Sequence, residues 1–340
     1  MSKTEQTFTP IEKIGRKGLI QKIAEKFDRH GEGMVYGIGD DAAVLGQLSG
    51  SHPLISTEIY SEGVDFDLTY TPWQHLGLKV VSMAVSDIIA MNGKPKFLFL
   101  NLSLTNKVSV EMVELFYSGV KHGCDLYGVQ LAGGDLGAAH KASTVAVTVV
   151  GTADTPVYRS GAKAGDAICV TGDLGAASCG LMVLLREKRH FETSGQLVFE
   201  PDLTPFEYVV RKQLVPEARA DCIDAMKIAG IVPTSMSDVS KSLVSTLVEM
   251  MESSKSGCRI YEAALPVHPE TRQTADDLEK DIDTFVLYGG EDFELLFTLP
   301  EKDVKAFAEQ FKDFVVIGKV EPQAHGIKMQ TAEGHEMTLT

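Results

Sequence analysis

The segment from Trp73 to Met91 restricts the fold strongly, because apolar residues occupy almost every side of the helix that it predicts. A helix that is apolar all round needs cover on all sides, so we expect it to be buried within a domain. Asp87 nevertheless lies in this segment. A buried carboxylate is rare unless it is paired or binds a cation, although capping or a backbone hydrogen bond would also satisfy it. Asp87 is therefore a candidate functional residue.

A turn-rich stretch at Asp154–Asp166 separates two halves that each alternate short apolar strands with helices. We expect an α+β fold with an N-terminal domain at 1–153 and a C-terminal α/β domain at 154–340. In the first half the expected helices are 17–28 and Val108–Leu126, and the expected strands are Met34–Ile38, Leu54–Thr57, Phe97–Leu104, Val129–Ala132 and Thr144–Gly151. In the second half the expected helices are Ala176–Arg186, Phe206–Gln213, Glu217–Ala229, Lys241–Ser253 and 301–311, with an exposed loop or short helix at 266–283. Its expected strands are Ala167–Thr171, Thr234–Ser237, Thr284–Leu287, Phe293–Thr298 and Phe314–Val320.

The composition argues against several classes of partner. The formal net charge is −15 and no basic patch stands out, so we expect no nucleic-acid binding. The polar N-terminus and the lack of a run of about 18 apolar residues predict neither a signal peptide nor a membrane span. The five cysteines form no CxxC pair, which argues against a zinc site and fits a reducing cytoplasm.

Carboxylates recur at the ends of predicted strands. Six segments place an acid there or in the buried helix: Gly37-Ile38-Gly39-Asp40-Asp41, Ser56-Thr57-Glu58, Asp87, Gly133-Gly134-Asp135, Ser237-Asp238 and Gly289-Gly290-Glu291-Asp292. Singly, each has an ordinary interpretation, such as a tight glycine turn after a strand, a helix N-cap at Asp238, or a hairpin joining two strands at Gly289-Gly290.

Together these acids predict a cation site. Two carboxylates that are 4 Å apart repel by about 4 kcal/mol at an effective dielectric constant near 20, so a convergent cluster needs neutralising cations. Oxygen ligands without His or Cys favour Mg²⁺ or Ca²⁺, and protein-bound Mg²⁺ usually brings substrate phosphates with it. Phosphoryl transfer depends mainly on such positioning and charge. No Walker A sequence or protein-kinase motif set is present.

The order of these segments resembles the thiamine-monophosphate kinase family, which is part of the aminoimidazole ribonucleotide synthetase superfamily. The resemblance covers about residues 10–320. The matching segments are GIGDDAAVL (37–45), STE with EGVDFDLTY (56–70), VSDIIAMNGKPK (85–96), GGDLG (133–137), YRSGAKAGDAICVTGDLGAA (158–177), SDVSKSL (237–243) and GGEDFELLFT (289–298).

The resemblance implies a fold, a reaction and a set of site residues. In the family's fold, the N-terminal domains of a homodimer close a β-barrel, and the active site lies beside the dimer contact. The implied reaction transfers the γ-phosphate of ATP to thiamine monophosphate, with Mg²⁺ as cofactor. The implied metal ligands are Asp41, Thr57, Glu58, Asp87, Asp135 and Asp238. The implied ATP contacts are Gly134, Asp135, Arg159 and Ser240; Asp65 and Glu291 match substrate contacts, and Asp135, Asp238 and Lys241 are the catalytic candidates.

Several of these positions depart from the family pattern. Glu58 replaces an aspartate, Asp65 a histidine, Leu136 a threonine and Lys241 a metal-binding aspartate, and the C-terminal aromatic segment of the family has no counterpart before Thr340. We expect Asp65 and the missing aromatic surface to weaken recognition of thiamine monophosphate. Two alternatives therefore stay open: a diverged enzyme acting on another small phosphorylated metabolite, and a nucleotide-binding dimer without catalysis.

Overall fold

The computed structural model describes residues 34–36, 40–46 and 51–339, and these form two sheets with helices. The first sheet has the strand order β1-β2-β3-β6-β4-β5. Its strands are β1 (Met34–Tyr36), β2 (Ala43–Leu45), β3 (His52–Ser61), β4 (Lys94–Thr105), β5 (Gln130–Ala139) and β6 (Thr144–Ala153). All neighbours pair antiparallel except β4 and β5, which are parallel and joined by a helical crossover.

Helix α1 (Trp73–Ala90) packs on one face of this sheet, and helix α2 (Val110–Tyr127) packs against α1. A Cβ atom on Gly77 of α1 would lie 2.0 Å from the Phe116 carbonyl oxygen of α2, so the two backbones approach each other directly. α1 is buried from Val80 to Met91 apart from Met83, as its apolar sequence predicts. The other face of the sheet is open, and Ile59 is 64% exposed there.

The second sheet has seven strands in the order β13-β12-β9-β11-β7-β10-β8. They are β7 (Ala167–Thr171), β8 (Ser235–Asp238), β9 (Ser256–Tyr261), β10 (Leu295–Leu299), β11 (Phe314–Pro322), β12 (Ile327–Gln330) and β13 (Glu336–Thr338). The associated helices are α3 (Ala176–Ser194), α4 (Glu207–Leu214), α5 (Ala220–Ala229), α6 (Leu243–Ser254), α7 (Pro269–Asp277), α8 (Ile282–Tyr288) and α9 (Glu301–Gln310). The C-terminal ends of β7 and β8 and the start of β10 lie at one edge of this sheet.

Three expectations about local structure are wrong. Thr284–Leu287 belongs to helix α8, which Asp281 caps through the amide of Asp283, and an apolar run of four residues does not distinguish a strand from a buried helix. The Gly289–Asp292 turn consequently joins a helix to a strand. Gly133–Asp135 lies within strand β5, where the φ angle of +152° at Gly134 lets its backbone pack on the Leu100 carbonyl.

Other predicted elements differ from the observed ones at their ends, or lie outside the described residues. Helix α6 begins at Leu243 with Ser242 as its N-cap, so Asp238 is the end of a buried strand and no helix cap. Residues 266–283 contain helix α7, in which Thr271, Thr274 and Ala275 are buried. The predicted helix at 17–28 and the glycine turn at 37–39 lie outside the described residues. None of the described helices is long and apolar enough to cross a membrane.

Candidate functional site

Three of the predicted acids come together where the two domains meet. Asp41 follows β1, Asp87 lies on α1 and Asp238 ends β8, yet each offers a carboxylate oxygen within 4.8 Å of the other two. The side chain of Asp41 is 1% exposed, and Asp87 and Asp238 are buried. Segments that are far apart in the sequence therefore form one compact carboxylate cluster.

Serine hydroxyls hold two of these carboxylates in place. Ser56 on β3 donates a hydrogen bond to Asp87 Oδ2. Ser86 on α1 donates to Asp238 Oδ2 over 2.7 Å, and Ser240 donates to Asp238 Oδ1 over 3.2 Å. Ser56 and Ser86 were not predicted as site residues. In the sequence, each is a hydroxyl residue within a predicted strand or buried helix. Ser86 also directly precedes the candidate ligand Asp87.

The cluster is electrostatically unfavourable when no cation is bound. Burial raises the pKa of Asp238 to about 7, and the negative charge of Asp41 acts in the same direction. Burial also raises the pKa of Asp87 well above its usual range, reinforced by the charges of Asp238, Glu58 and Asp41. Both effects penalise the ionised carboxylates, and a bound cation would reverse them.

Arg159 is the nearest cation that the described residues supply. Its guanidinium pairs with Asp41, and its Nη1 lies 3.2 Å from Glu249 Oε2. Its backbone amide donates to Asp40 Oδ2 over 3.1 Å. Asp40 nevertheless has its pKa raised to about 7, first by burial and then by the charge of Asp41. One arginine thus only partly compensates the acids around it.

The donor set fits a hard divalent cation. All three clustered ligands are carboxylates, which Mg²⁺ and Ca²⁺ prefer. Asp41 Oδ2 is buried and has no hydrogen-bond partner among the described residues. Leaving a buried carboxylate oxygen without a donor is costly, so this atom is the best single indication of a ligand in the cluster.

The predicted ligands on β3 divide between the two faces of the sheet. Ser56 is buried on the helix-covered face. Thr57 is exposed on the open face, where its hydroxyl lies 3.1 Å from both the Val147 carbonyl and the Thr148 hydroxyl. The Thr57 side chain therefore points away from the cluster. Glu58 returns to the covered face by strand alternation, and its charge contributes to the raised pKa of Asp87.

Asp135 and Gly134 lie apart from the three clustered acids, on the exposed edge strand β5. Asp135 is paired with Asn101 of β4, three strands from β3, which is about 14 Å at usual strand spacing. Gly134 and Asp135 border a depression of about 460 Å³. Its other lining residues include Leu100, Tyr117 and Leu136. Tyr117 was not predicted as a site residue, because in the sequence it is one more residue on an amphipathic helix.

The remaining predicted residues have partners within the protein. Asp65 accepts a hydrogen bond from the Ser61 amide over 2.8 Å and closes its own loop. Lys241 lies outside the carboxylate cluster, 2.9 Å from Glu249 Oε1, the same carboxylate that Arg159 contacts. Glu291 lies 2.7 Å from the ammonium of Lys79, a buried residue of α1 that was also not predicted.

Comparisons with known proteins agree with this architecture. Residues 39–153 match the N-terminal domain of AIR synthase related proteins, and residues 163–329 match the C-terminal domain. Thiamine-monophosphate kinase of Aquifex aeolicus is 33% identical over 312 residues, covering 92% of this chain and 93% of the relative. The Bacillus subtilis thiamine-monophosphate kinase is 30% identical over 295 residues, covering 86% of each chain.

Solved structures give the same result. The structure of AaThiL complexed with AMPPCP and TMP has a TM-score of 0.81 and 29% identity, covering 98% of this chain and 97% of its own. The two-domain fold related to AIR synthase is thus shared along nearly the whole chain. Together with the identity to curated relatives, this agreement shows that the chain belongs to the thiamine-monophosphate kinase family.

Proposed function

We propose that this protein catalyses the Mg²⁺-dependent transfer of the γ-phosphate of ATP to thiamine monophosphate, giving thiamine diphosphate. The observation that carries the proposal is the cluster of Asp41, Asp87 and Asp238 with its unpartnered Asp41 oxygen. The family supports ATP and thiamine monophosphate as ligands, since AaThiL has been solved with TMP and with AMPPCP, an analogue of ATP. The five buried free cysteines fit a cytoplasmic enzyme.

In this proposal the three clustered aspartates hold Mg²⁺, which supplies positive charge to the transferring phosphoryl group. Arg159 lies against Asp41 and is placed to donate to a phosphate oxygen. Ser240, bonded to Asp238, has a hydroxyl at the same end of the site. Tyr117 lines the depression beside Gly134 and Asp135, and a nucleoside base would stack on its ring.

The acceptor is proposed to contact Glu291 and the loop that carries Asp65. Asp65 gives this loop a negative charge where the family has a histidine, and its bond to the Ser61 amide fixes that charge locally. A phosphate of the acceptor would be repelled by a nearby carboxylate. We therefore propose a weaker affinity for thiamine monophosphate than a histidine would give.

We also propose that the protein is a homodimer, and that the boundary between the two domains of each chain lies between residues 153 and 154. The open face of the first sheet presents Ile59, Phe97 and Phe99 to solvent, at 64%, 43% and 39% exposure. An apolar sheet face of this kind is characteristic of a protein interface. A second copy of the chain would cover it and close a barrel. Phe99→Glu is expected to yield monomers in sedimentation measurements.

The deciding experiment incubates purified protein with ATP, Mg²⁺ and thiamine monophosphate and separates the products chromatographically. Thiamine diphosphate should form, and EDTA should stop its formation. Asp238→Asn is the matched site variant and should be inactive while keeping its fold by circular dichroism. Nucleotide binding without any product would favour the non-catalytic alternative. Phosphorylation of a different metabolite from a panel would identify a diverged enzyme.

A further inference from the structure

Lys79 is a buried cation that links the two domains. Its side chain is 5% exposed, although lysine is rarely buried without a partner. The ammonium donates to Glu291 Oε2 over 2.7 Å and to the Gln213 carbonyl over 2.9 Å. Gln213 Nε2 also donates to Glu291 Oε2 over 2.9 Å. Among the described residues, Lys79 and Gln213 both donate to Oε2 of Glu291. The other oxygen, Oε1, stays available to a ligand.

The backbone at Glu291 is held firmly as well. Its φ angle is +59°, which is unfavourable for a residue with a side chain. The amide of Glu291 donates to the Ser240 carbonyl over 2.8 Å, and the amide of Phe293 donates to Val239 over 3.1 Å. A Cβ atom on Gly290 would lie 1.7 Å from the Lys241 carbonyl oxygen. The Glu291 turn is therefore joined to the loop that follows Asp238, and Lys79 fixes the remaining freedom of the side chain.

Helix α1 contacts both the carboxylate cluster and Glu291. Ser86 of α1 binds Asp238 in the carboxylate cluster, and Lys79, seven residues earlier on the same helix, binds Glu291. Seven residues span about 10 Å along a helix and return to the same face. α1 thus sets the separation between the proposed metal site and the Glu291 carboxylate.

We propose that Lys79 is a positioning residue: it aims the Glu291 carboxylate at the organic end of the acceptor, while the carboxylate cluster holds the phosphate end. This proposal rests on the proposed function. It assigns the specificity of the acceptor site to an ion pair across the domain interface. Glu291 contacts the acceptor, and Lys79 acts only through Glu291.

A double-mutant cycle tests the proposal with Lys79→Met, Glu291→Gln and the double variant. Kinetic constants are measured for both substrates, and thiamine monophosphate binding is measured by calorimetry. Lys79→Met should raise the KM for thiamine monophosphate about tenfold and leave the KM for ATP within about twofold. In the Glu291→Gln background, Lys79→Met should have no further effect on acceptor affinity, because both changes remove the same oriented carboxylate.

Tyr127→Phe is the matched control. Tyr127 accepts from the Ala218 amide over 2.9 Å and lies 3.0 Å from the Ser82 hydroxyl, so it also joins α1 to the C-terminal domain. This control should change neither KM. Additive effects in the double variant, or an equal rise of both KM values in Lys79→Met, would overturn the Lys79 proposal alone. A wild-type protein without turnover of thiamine monophosphate would overturn the proposed function and the inference that rests on it.

Discussion

The Ser86 hydroxyl donates a buried hydrogen bond of 2.7 Å to Asp238 Oδ2 and so connects helix α1 to the end of strand β8. The next residue, Asp87, belongs to the same carboxylate cluster. One turn of an N-terminal helix therefore contributes a candidate ligand and also orients a second one in the other domain. The geometry of the cluster depends on how the two domains pack.

Ser86→Ala should weaken Mg²⁺ binding about tenfold, because a hydrogen bond to a charged group contributes about 1.5–3 kcal/mol. Calorimetric titration of Mg²⁺ in the presence of AMPPCP measures the change. Ser82→Ala is the control, since Ser82 lies one turn earlier on α1 and contacts Tyr127. An equal loss in both variants would mean that Ser86 acts on helix packing and has no specific effect on Asp238.

Adjacent residues on β3 should behave differently when they lose a hydroxyl. Ser56→Ala removes the hydrogen bond to Asp87 and should lower Mg²⁺ affinity. Thr57→Val keeps the shape of a side chain that lies on the open face, and should leave Mg²⁺ affinity unchanged. The same titration serves both variants. A large loss with Thr57→Val would show that the threonine hydroxyl reaches the metal after all, as the family resemblance implies.

The sequence predicted the buried helix at Trp73–Met91 well, because a helix that is apolar on all sides must be covered on all sides. It also predicted the strand and helix order of most of the chain. Of the six acidic segments predicted to converge, those of Asp41, Asp87 and Asp238 form one cluster. The helix at Ile282–Tyr288 was missed because a short apolar run has no readable period. The strand predicted at Val129–Ala132 continues through Gly133–Asp135 to Ala139, and this continuation was missed because two glycines there allow close backbone packing as readily as a turn.

The partners of the candidate residues could not be read from the chain. Lys79 and Glu291 are 212 positions apart, and Ser86 and Asp238 are 152 apart. Such pairs depend on strand register and on the docking of two domains, neither of which leaves a local pattern. The placement of Thr57 is a partial exception, because strand alternation already puts it on the face opposite to Ser56.

Asp135→Asn should weaken AMPPCP binding and leave the melting temperature unchanged. Asp135 is exposed on β5 and makes a local bond to the Leu136 amide, so its removal costs little folding energy. Asp125→Asn is the control, since Asp125 is an exposed aspartate paired with Lys121 on α2. A fall in melting temperature without any change in nucleotide affinity would instead assign Asp135 a structural role.

Lys241 replaces a metal-binding aspartate of the family pattern, and its ammonium pairs with Glu249 at 2.9 Å. Because Arg159 contacts the other oxygen of Glu249, the charge of Lys241 is coupled to the cation beside Asp41. The Lys241 side chain is 43% exposed, and exposed pairs contribute about 0–1 kcal/mol. Moving the Lys241 ammonium from Glu249 to a phosphate would therefore cost little free energy. For this reason we expect Lys241 to take the place of one Mg²⁺.

Lys241→Asp should weaken AMPPCP binding at low Mg²⁺ and recover it at high Mg²⁺, because the substitution changes the local charge by two units and restores a ligand for the cation. Calorimetry across a Mg²⁺ series measures this dependence. Lys319→Asp is the control. Lys319 lies on β11, is 46% exposed and pairs with Glu301 at 3.3 Å. This control should leave the Mg²⁺ dependence of binding unchanged. If Lys241→Asp also leaves it unchanged, the lysine contacts no phosphate and only the pair with Glu249 remains as its role.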